Sequence, residues 1–459
     1  MTEKERSKML GNMEVRRLLF KLAVPAIAAM AFNALYNLVD TFFVARGASQ
    51  IAIGALSIAY PIQMIVLAIG LMVGIGSASV FSRAYGRGDR DAMRKAVNNA
   101  LFFNFVISVL IAVFAYIYID RLLVLFGATA SNIDYARDYL GVIIFALVPF
   151  SMTIVLHNLV RAEGRPRAAM ISMIIGAGLN IVLDPIFIFD WGLGMGVRGA
   201  ALATGIGKSV SFIYILTMAM RPHSALRISL RTIHRIDFSV IKEMVVVGLP
   251  SFVRVSLGGF LIIIVNNLIN FYAVGDPAIY ISIYGVINRL MRFTLMPGFG
   301  LVQGLVPIVG FNFGAQFHKR LHDVISYAAR LLFIYFTAVF AAVFLFAEPL
   351  FAIFSPEADP VFISEGATAF RIVAAGFAMV SFQVIISSVY QAMGYPVRAF
   401  IIALSRRFLV FVPAALILTY FFGVTGIWWT FLVADLLTGT VAFLMFSSEM
   451  RTLRTRFAS

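Results

Sequence analysis

Residues 25–40 read Pro25-Ala26-Ile27-Ala28-Ala29-Met30-Ala31-Phe32-Asn33-Ala34-Leu35-Tyr36-Asn37-Leu38-Val39-Asp40. They belong to an apolar run near 17–45, longer than the roughly 20 residues that cross a bilayer. An ionised carboxylate near mid-membrane costs about 2.5–3.5 kcal/mol on insertion scales, so an intramembrane acid is read as functional. Asn33, Tyr36, Asn37 and Asp40 fall at i, i+3, i+4 and i+7 and make one polar stripe on a helix. Facing lipid, such a stripe would leave polar groups unsatisfied, so it is expected to face a water-filled cavity or other helices.

The remainder of the chain has the same character. Of 459 residues, 61% are hydrophobic and 13% charged, with a mean hydropathy of +0.93. Soluble domains run at about 45–50% apolar and 25% charged, so the composition is that of an integral membrane protein. With no cysteine, a disulfide framework and thiolate metal ligation are excluded. The net charge of +15 sits in short loops between apolar runs rather than in a patch, which argues against nucleic acid. The basic N-terminal stretch is not a signal peptide, because its apolar region far exceeds the roughly 7–15 residues of a signal.

Further apolar runs lie near 51–82, 96–119, 137–160, 169–189, 198–220, 241–273, 278–313, 324–347, 366–391, 399–421 and 426–447. The predicted fold is all-α, with about twelve transmembrane helices on the span-length criterion. Alternate loops are basic, with Arg83, Arg87, Arg90, Arg94 and Lys95, then Arg161, Arg165 and Arg167, then Lys319 and Arg320, then Arg398. The others hold Asp120, Asp190, Asp276, Glu348, Glu357 and Asp359. The basic loops and both termini are therefore expected in the cytoplasm, and the chain in the plasma (inner) membrane. Residues 221–240 form the longest basic connection. Arg227, Arg231 and Arg235 recur there every four residues, which predicts a linker helix on the anionic inner leaflet.

That linker divides two similar halves, residues 1–220 and 241–459. Arg161-Ala162-Glu163-Gly164-Arg165-Pro166 aligns with Gln391-Ala392-Met393-Gly394-Tyr395-Pro396, a shift of 230. Ala23-Val24-Pro25 aligns with Gly248-Leu249-Pro250 (shift 225), and Gly76 and Gly86 with Gly304 and Gly314 (shift 228). Gly196-Val197-Arg198-Gly199 aligns with Gly423-Val424-Thr425-Gly426 (shift 227). With six spans each, the halves are parallel repeats related by an axis along the membrane normal. They are expected to form two pseudo-twofold-related lobes that enclose a central cavity and rock around it. The halves differ in their acids, since Asp40 matches Val265 and Asp184 matches Ala414. An ion or proton site is thus expected in the N-terminal lobe alone.

Asn180 and Asp184 lie four apart in the fifth span, followed by Pro185, and Thr204 lies in the sixth. If the first, fifth and sixth helices meet, Asp40, Asn180, Asp184 and Thr204 offer only oxygen ligands. Oxygens suit hard cations, sodium by extension, and the same carboxylates serve equally to carry protons. Neutralisation of the acids by an arginine is the structural alternative. Tyr139 and Asn158 are further cavity candidates, and His157 reads as an interfacial residue. In the second half Arg406 and Arg407 read as packing or anchoring residues. Arg289 and Arg292 lie deeper, where they offer contacts to an anionic substrate group, with Asp435 as a partner for one of them.

Two six-helix lobes, Pro25 with Tyr36 and Asp40, and Asn180-Ile181-Val182-Leu183-Asp184-Pro185 together resemble the multidrug and toxic compound extrusion (MATE) transporters. Arg161-Ala162-Glu163-Gly164 and Gly199-Ala200-Ala201-Leu202-Ala203-Thr204 add to the likeness, which covers nearly the whole chain. The resemblance implies a V-shaped alternating-access cycle that exports small cationic or amphipathic organic compounds in exchange for protons or sodium ions. It implies no cofactor beyond that coupling ion, a monomer among membrane lipids, and a bend of the first helix at Pro25 as Asp40 changes state. One branch of the family carries its cation on acids of the seventh and tenth helices. Residues 251–271 and 370–390 contain none, so the chain is more similar to the DNA-damage-inducible bacterial and archaeal branch. A lipid-linked precursor flippase of the same superfamily is the alternative, with the second-half arginines as its substrate clamp. An intramembrane aspartyl protease, the enzymatic alternative, needs Gly-x-Gly-Asp at its second acid, where this chain has Ile181-Val182-Leu183-Asp184.

Overall fold

The structure is a computed structural model that describes residues 1–47, 50–228, 236–354 and 360–458. Every regular element among them is helical, as a bilayer demands of segments that must pair their own backbone groups. The first half comprises α1 (Glu3–Asn12), α2 (Val15–Gly47), α3 (Gln50–Arg87), α4 (Arg90–Ile117), α5 (Ile119–Leu125), α6 (Ile133–Ala162), α7 (Pro166–Ile188) and α8 (Gly196–Ala219). The second comprises α9 (Phe238–Tyr272), α10 (Pro277–Gly314), α11 (His318–Phe354), α12 (Pro360–Ala374), α13 (Phe377–Met393), α14 (Pro396–Leu404), α15 (Phe411–Phe422) and α16 (Val424–Ala458). A π-helical turn, Ser405–Val410, joins α14 to α15. Among the described residues eleven segments are long and apolar enough to span, and α12 with α13, bent by 46°, makes a twelfth. Two six-helix lobes result.

The repeated motifs are the repeated turns. Gly164 and Gly394 both take left-handed backbone (φ +86° and +80°). Each ends the fourth span of its lobe, and Pro166 or Pro396 then opens the next helix at its first turn.

The other repeated glycines mark where the lobes cross. A Cβ at Gly76 would run into the Met244 carbonyl of α9, and one at Gly304 would lie 2.6 Å from Ala23 Cα of α2. One at Gly86 would strike the Phe311 carbonyl, and its repeat mate at Gly314 the Arg83 carbonyl. Gly86 and Gly314 adjoin the basic turns after α3 and α10, and Gly76 and Gly304 lie about three turns earlier on the same helices, so the lobes are held together towards the basic end of the bundle. α1 covers that end. Its buried Arg6 pairs at 2.6 Å with Glu163 of the first lobe, and its Leu10 carbonyl accepts from Asn312 of the second at 3.2 Å.

Three expectations need correction. The run at 366–391 is not one straight helix. It breaks at Ala375 and Gly376, where a Cβ on Gly376 would lie 2.7 Å from Asp435 Cβ, so the bend admits α16. The run at 399–421 changes register through the π-turn just ahead of Pro413, whose missing N–H removes a rung of the helical ladder. The expected linker helix is absent at Arg227, which has φ +45° and reaches Glu3 at 3.1 Å. Arg231 and Arg235 lie outside the described residues.

Candidate functional site

In the first lobe α2 packs on α7 and α7 on α8. The second crossing is close because Gly207 faces the Gly176 carbonyl; a Cβ there would lie 2.5 Å from it. This brings Thr204, just under one turn before Gly207, to Asn180. The amide Nδ2 of Asn180 donates to Thr204 Oγ1 at 3.1 Å and to Asp184 Oδ1 at 3.2 Å. Asp184 is 0% exposed, Asn180 2% and Thr204 8%. Asp40, half-buried on α2, faces Asp184 closely enough for their carboxyl groups to interact directly. The four oxygen-bearing residues that the sequence singles out therefore share one place.

The cluster is short of donors. Asn180 Oδ1 and Asp184 Oδ2 are buried without a hydrogen-bond partner among the described residues. Two facing carboxyl groups and two orphaned acceptors form a cage that a proton or a small hard cation fits. Among the described residues no arginine pairs with either acid. The cation within electrostatic reach of Asp40 is Lys208, one turn after Thr204 on α8.

Lys208 was not among the residues read from the sequence. Its ammonium donates to Gln63 Oε1 at 3.3 Å and lies 3.9 Å from the centroid of the Phe150 ring. Gln63 in turn donates to the Tyr139 hydroxyl at 3.4 Å. Tyr139 and Tyr36 both lie within reach of Asp40 and Asp184. A mid-span lysine in Gly205-Ile206-Gly207-Lys208 was the available signal, and its spacing from Thr204 put it on the site face.

Other candidates lie elsewhere. Asn37 is exposed and turns its amide onto the Asn33 carbonyl at 2.6 Å; no hydrogen bond or ion pair joins either to the cluster among the described residues. Asn158 donates to the Ile154 carbonyl at 2.8 Å and accepts from Arg161 at 3.2 Å. Pro25 lies inside α2, which continues through it as helix. His157 is not interfacial. It is buried, and its Nε2 is 3.0 Å from Ser172 Oγ across the α6–α7 contact. Arg289 and Arg292 are exposed on α10. Asp435 pairs with neither. Its Oδ1 is 2.6 Å from Arg406 Nε, because the π-turn aims Arg406 at α16.

Residues 25–186 and 255–442 match the MatE family model. The chain is 26% identical over 431 residues to the multidrug export protein MepA of Staphylococcus haemolyticus, covering 94% of this chain and 93% of that protein. An outward-facing multidrug resistance MATE family transporter of the MOP superfamily superposes with a TM-score of 0.90 at 24% identity, covering 97% of this chain and 98% of that one. A MATE structure in the bent conformation does so with a TM-score of 0.90 at 23% identity, covering 99% of each chain.

Proposed function

The chain belongs to the MatE family and is a membrane transporter rather than an enzyme, and from that premise we propose that it is a secondary active multidrug efflux antiporter. It exports cationic or amphipathic organic compounds in exchange for protons or sodium ions. The MepA multidrug export proteins match this chain over nearly their whole length, which supports the substrate class. The observation that carries the coupling is the set of orphaned acceptors, Asn180 Oδ1 and Asp184 Oδ2, beside Asp40.

The proposed mechanism follows from which helices own the ligands. Asp40 belongs to α2, and Asn180 and Asp184 to α7. A proton or sodium ion between them ties α2 to the rest of its lobe, and its departure leaves two carboxylates facing each other. Pro25 lacks the N–H that would complete the helical ladder, so α2 bends there at least cost when the tie breaks. The lobes meet at the basic end, which the positive-inside rule assigns to the cytoplasm of the plasma membrane together with both termini. The state described is accordingly outward-facing, and exchange of the coupling ion drives the rocking that exposes the cavity to the other side. No second subunit is needed for this cycle.

The test is ethidium efflux from proteoliposomes containing the purified chain, with a pH gradient and a sodium gradient imposed separately. Efflux accelerated by one of them names the coupling ion. Efflux indifferent to both contradicts the antiporter.

A further inference from the structure

The second lobe has no counterpart of the acid cluster, but it has a cationic one. Arg254 lies mid-span on α9, and Gly258 follows it one turn later on the same face. A Cβ at Gly258 would lie 2.5 Å from Arg407 Nη1, so the Arg407 guanidinium rests on the bare backbone of α9 beside Arg254. The π-turn puts it there. Arg407 belongs to Ser405–Val410, near the middle of the eleventh span, and such turns recur at functional sites.

The cluster's charge is only partly compensated, because Arg406 and Arg407 share one acid. Asp435 is the one acid in reach of Arg407 among the described residues, and its Oδ1 is engaged by Arg406 at 2.6 Å. Among the described residues Arg254 donates only to Ser251 Oγ, at 3.1 Å. Arg407 has no hydrogen-bond or ion-pair partner among the described residues. Tyr284 of α10 lies within electrostatic reach of both Arg407 and Arg292. Two half-buried guanidinium groups side by side at membrane depth, with the one acid in reach already paired to Arg406, are costly unless a ligand supplies a further anion.

We propose that Arg254 and Arg407, seated over Gly258, bind the anionic group of an amphipathic substrate: a carboxylate, sulfonate or phosphate. Guanidinium forks bind such groups in two-point hydrogen bonds. The preferred cargo is then a zwitterion, with its acid on the second lobe and its cation towards the acids of the first. This assignment deepens the transporter reading and rests on it for its biological use. It differs from the expectation on Arg289 and Arg292, which lie on α10.

Binding of rhodamine B and of its ethyl ester tests it, by fluorescence polarisation with the chain in phosphatidylcholine nanodiscs. The two dyes share the xanthylium cation, and only the acid carries a carboxylate. The wild-type chain is expected to bind the acid about tenfold more tightly than the ester, the size of one charge-assisted hydrogen bond. Arg254→Gln and Arg407→Gln each bring that ratio towards one, and Arg407→Lys keeps part of it. Equal binding of both dyes by the wild-type chain overturns the proposal without reference to any variant. So does a preference that survives both Gln substitutions. Phosphatidylglycerol added to the nanodiscs identifies the occupant. If it abolishes the preference, the site takes a lipid headgroup; if the preference persists, the site takes the substrate's own acid, and either result supports an anion site. No gradient is involved, so failure here is distinct from failure of coupled efflux.

Discussion

Asn180 holds Asp184 from one turn away: its Nδ2 lies 3.2 Å from Asp184 Oδ1, while its own Oδ1 has no donor among the described residues. The amide thus orients a buried carboxylate and offers a second oxygen to whatever that carboxylate binds. Asn180→Ala removes both contributions. A hydrogen bond to a charged group contributes about 1.5–3 kcal/mol, so the coupling-ion concentration for half-maximal efflux should rise by roughly tenfold or more. Efflux rate measured against pH and against sodium checks this; an unchanged midpoint would remove Asn180 from the site.

Lys208 supplies a tethered positive charge within reach of Asp40. It competes electrostatically with an incoming cation, so Lys208→Met is expected to lower the half-saturating proton or sodium concentration several-fold. The same titration reads it, and a higher midpoint in the variant would mean that Lys208 assists the ion instead.

Gly76 and Gly304 are repeat mates that let α3 approach α9 and α10 approach α2. Gly76→Ala places a methyl group against the Met244 carbonyl and should cost about 1–3 kcal/mol by overpacking. A lowered melting temperature in detergent is the readout. Gly285→Ala, where a Cβ meets nothing within 4 Å, should leave it unmoved.

Arg6 and Glu163 are 3% and 0% exposed. Glu163 also accepts from the Ala225 amide at 2.7 Å and from Arg165 Nε at 2.8 Å. Glu163→Ala leaves a buried guanidinium unpaired, an effect of about 3–5 kcal/mol. Thermal unfolding should show a large drop, partly recovered by Arg6→Met in the same chain.

Much of this was legible in the sequence because a membrane simplifies the reading. Span length follows from bilayer thickness, and charge in the loops follows from topology, so the helices and the two lobes emerge from hydropathy and repetition. Asp40, Asn180 and Asp184 stand out in the sequence because acids and amides at membrane depth are costly. Hydropathy does not report a helix's path, so the bend at Gly376 and the π-turn at Ser405 escaped it. With them went the Arg406–Asp435 pairing and the position of Arg407, since each depends on the shifted register. Lys208 is hard to read from sequence because a long basic side chain in a span can reach the interface, whereas here it is held inward by Gln63 and Phe150. The period-four spacing of the linker arginines does not predict the backbone of Arg227, whose positive φ is set by its local turn.

The central claim is that the paired carboxylates of the first lobe couple ion movement to export. The most direct measurement is gradient-driven ethidium efflux in proteoliposomes by the wild-type chain, Asp40→Asn and Asp184→Asn, each verified as folded by size-exclusion profile and melting temperature. The wild-type chain should respond to its gradient, while both variants fold and lose the response. Full gradient-driven efflux by either folded variant would contradict the account.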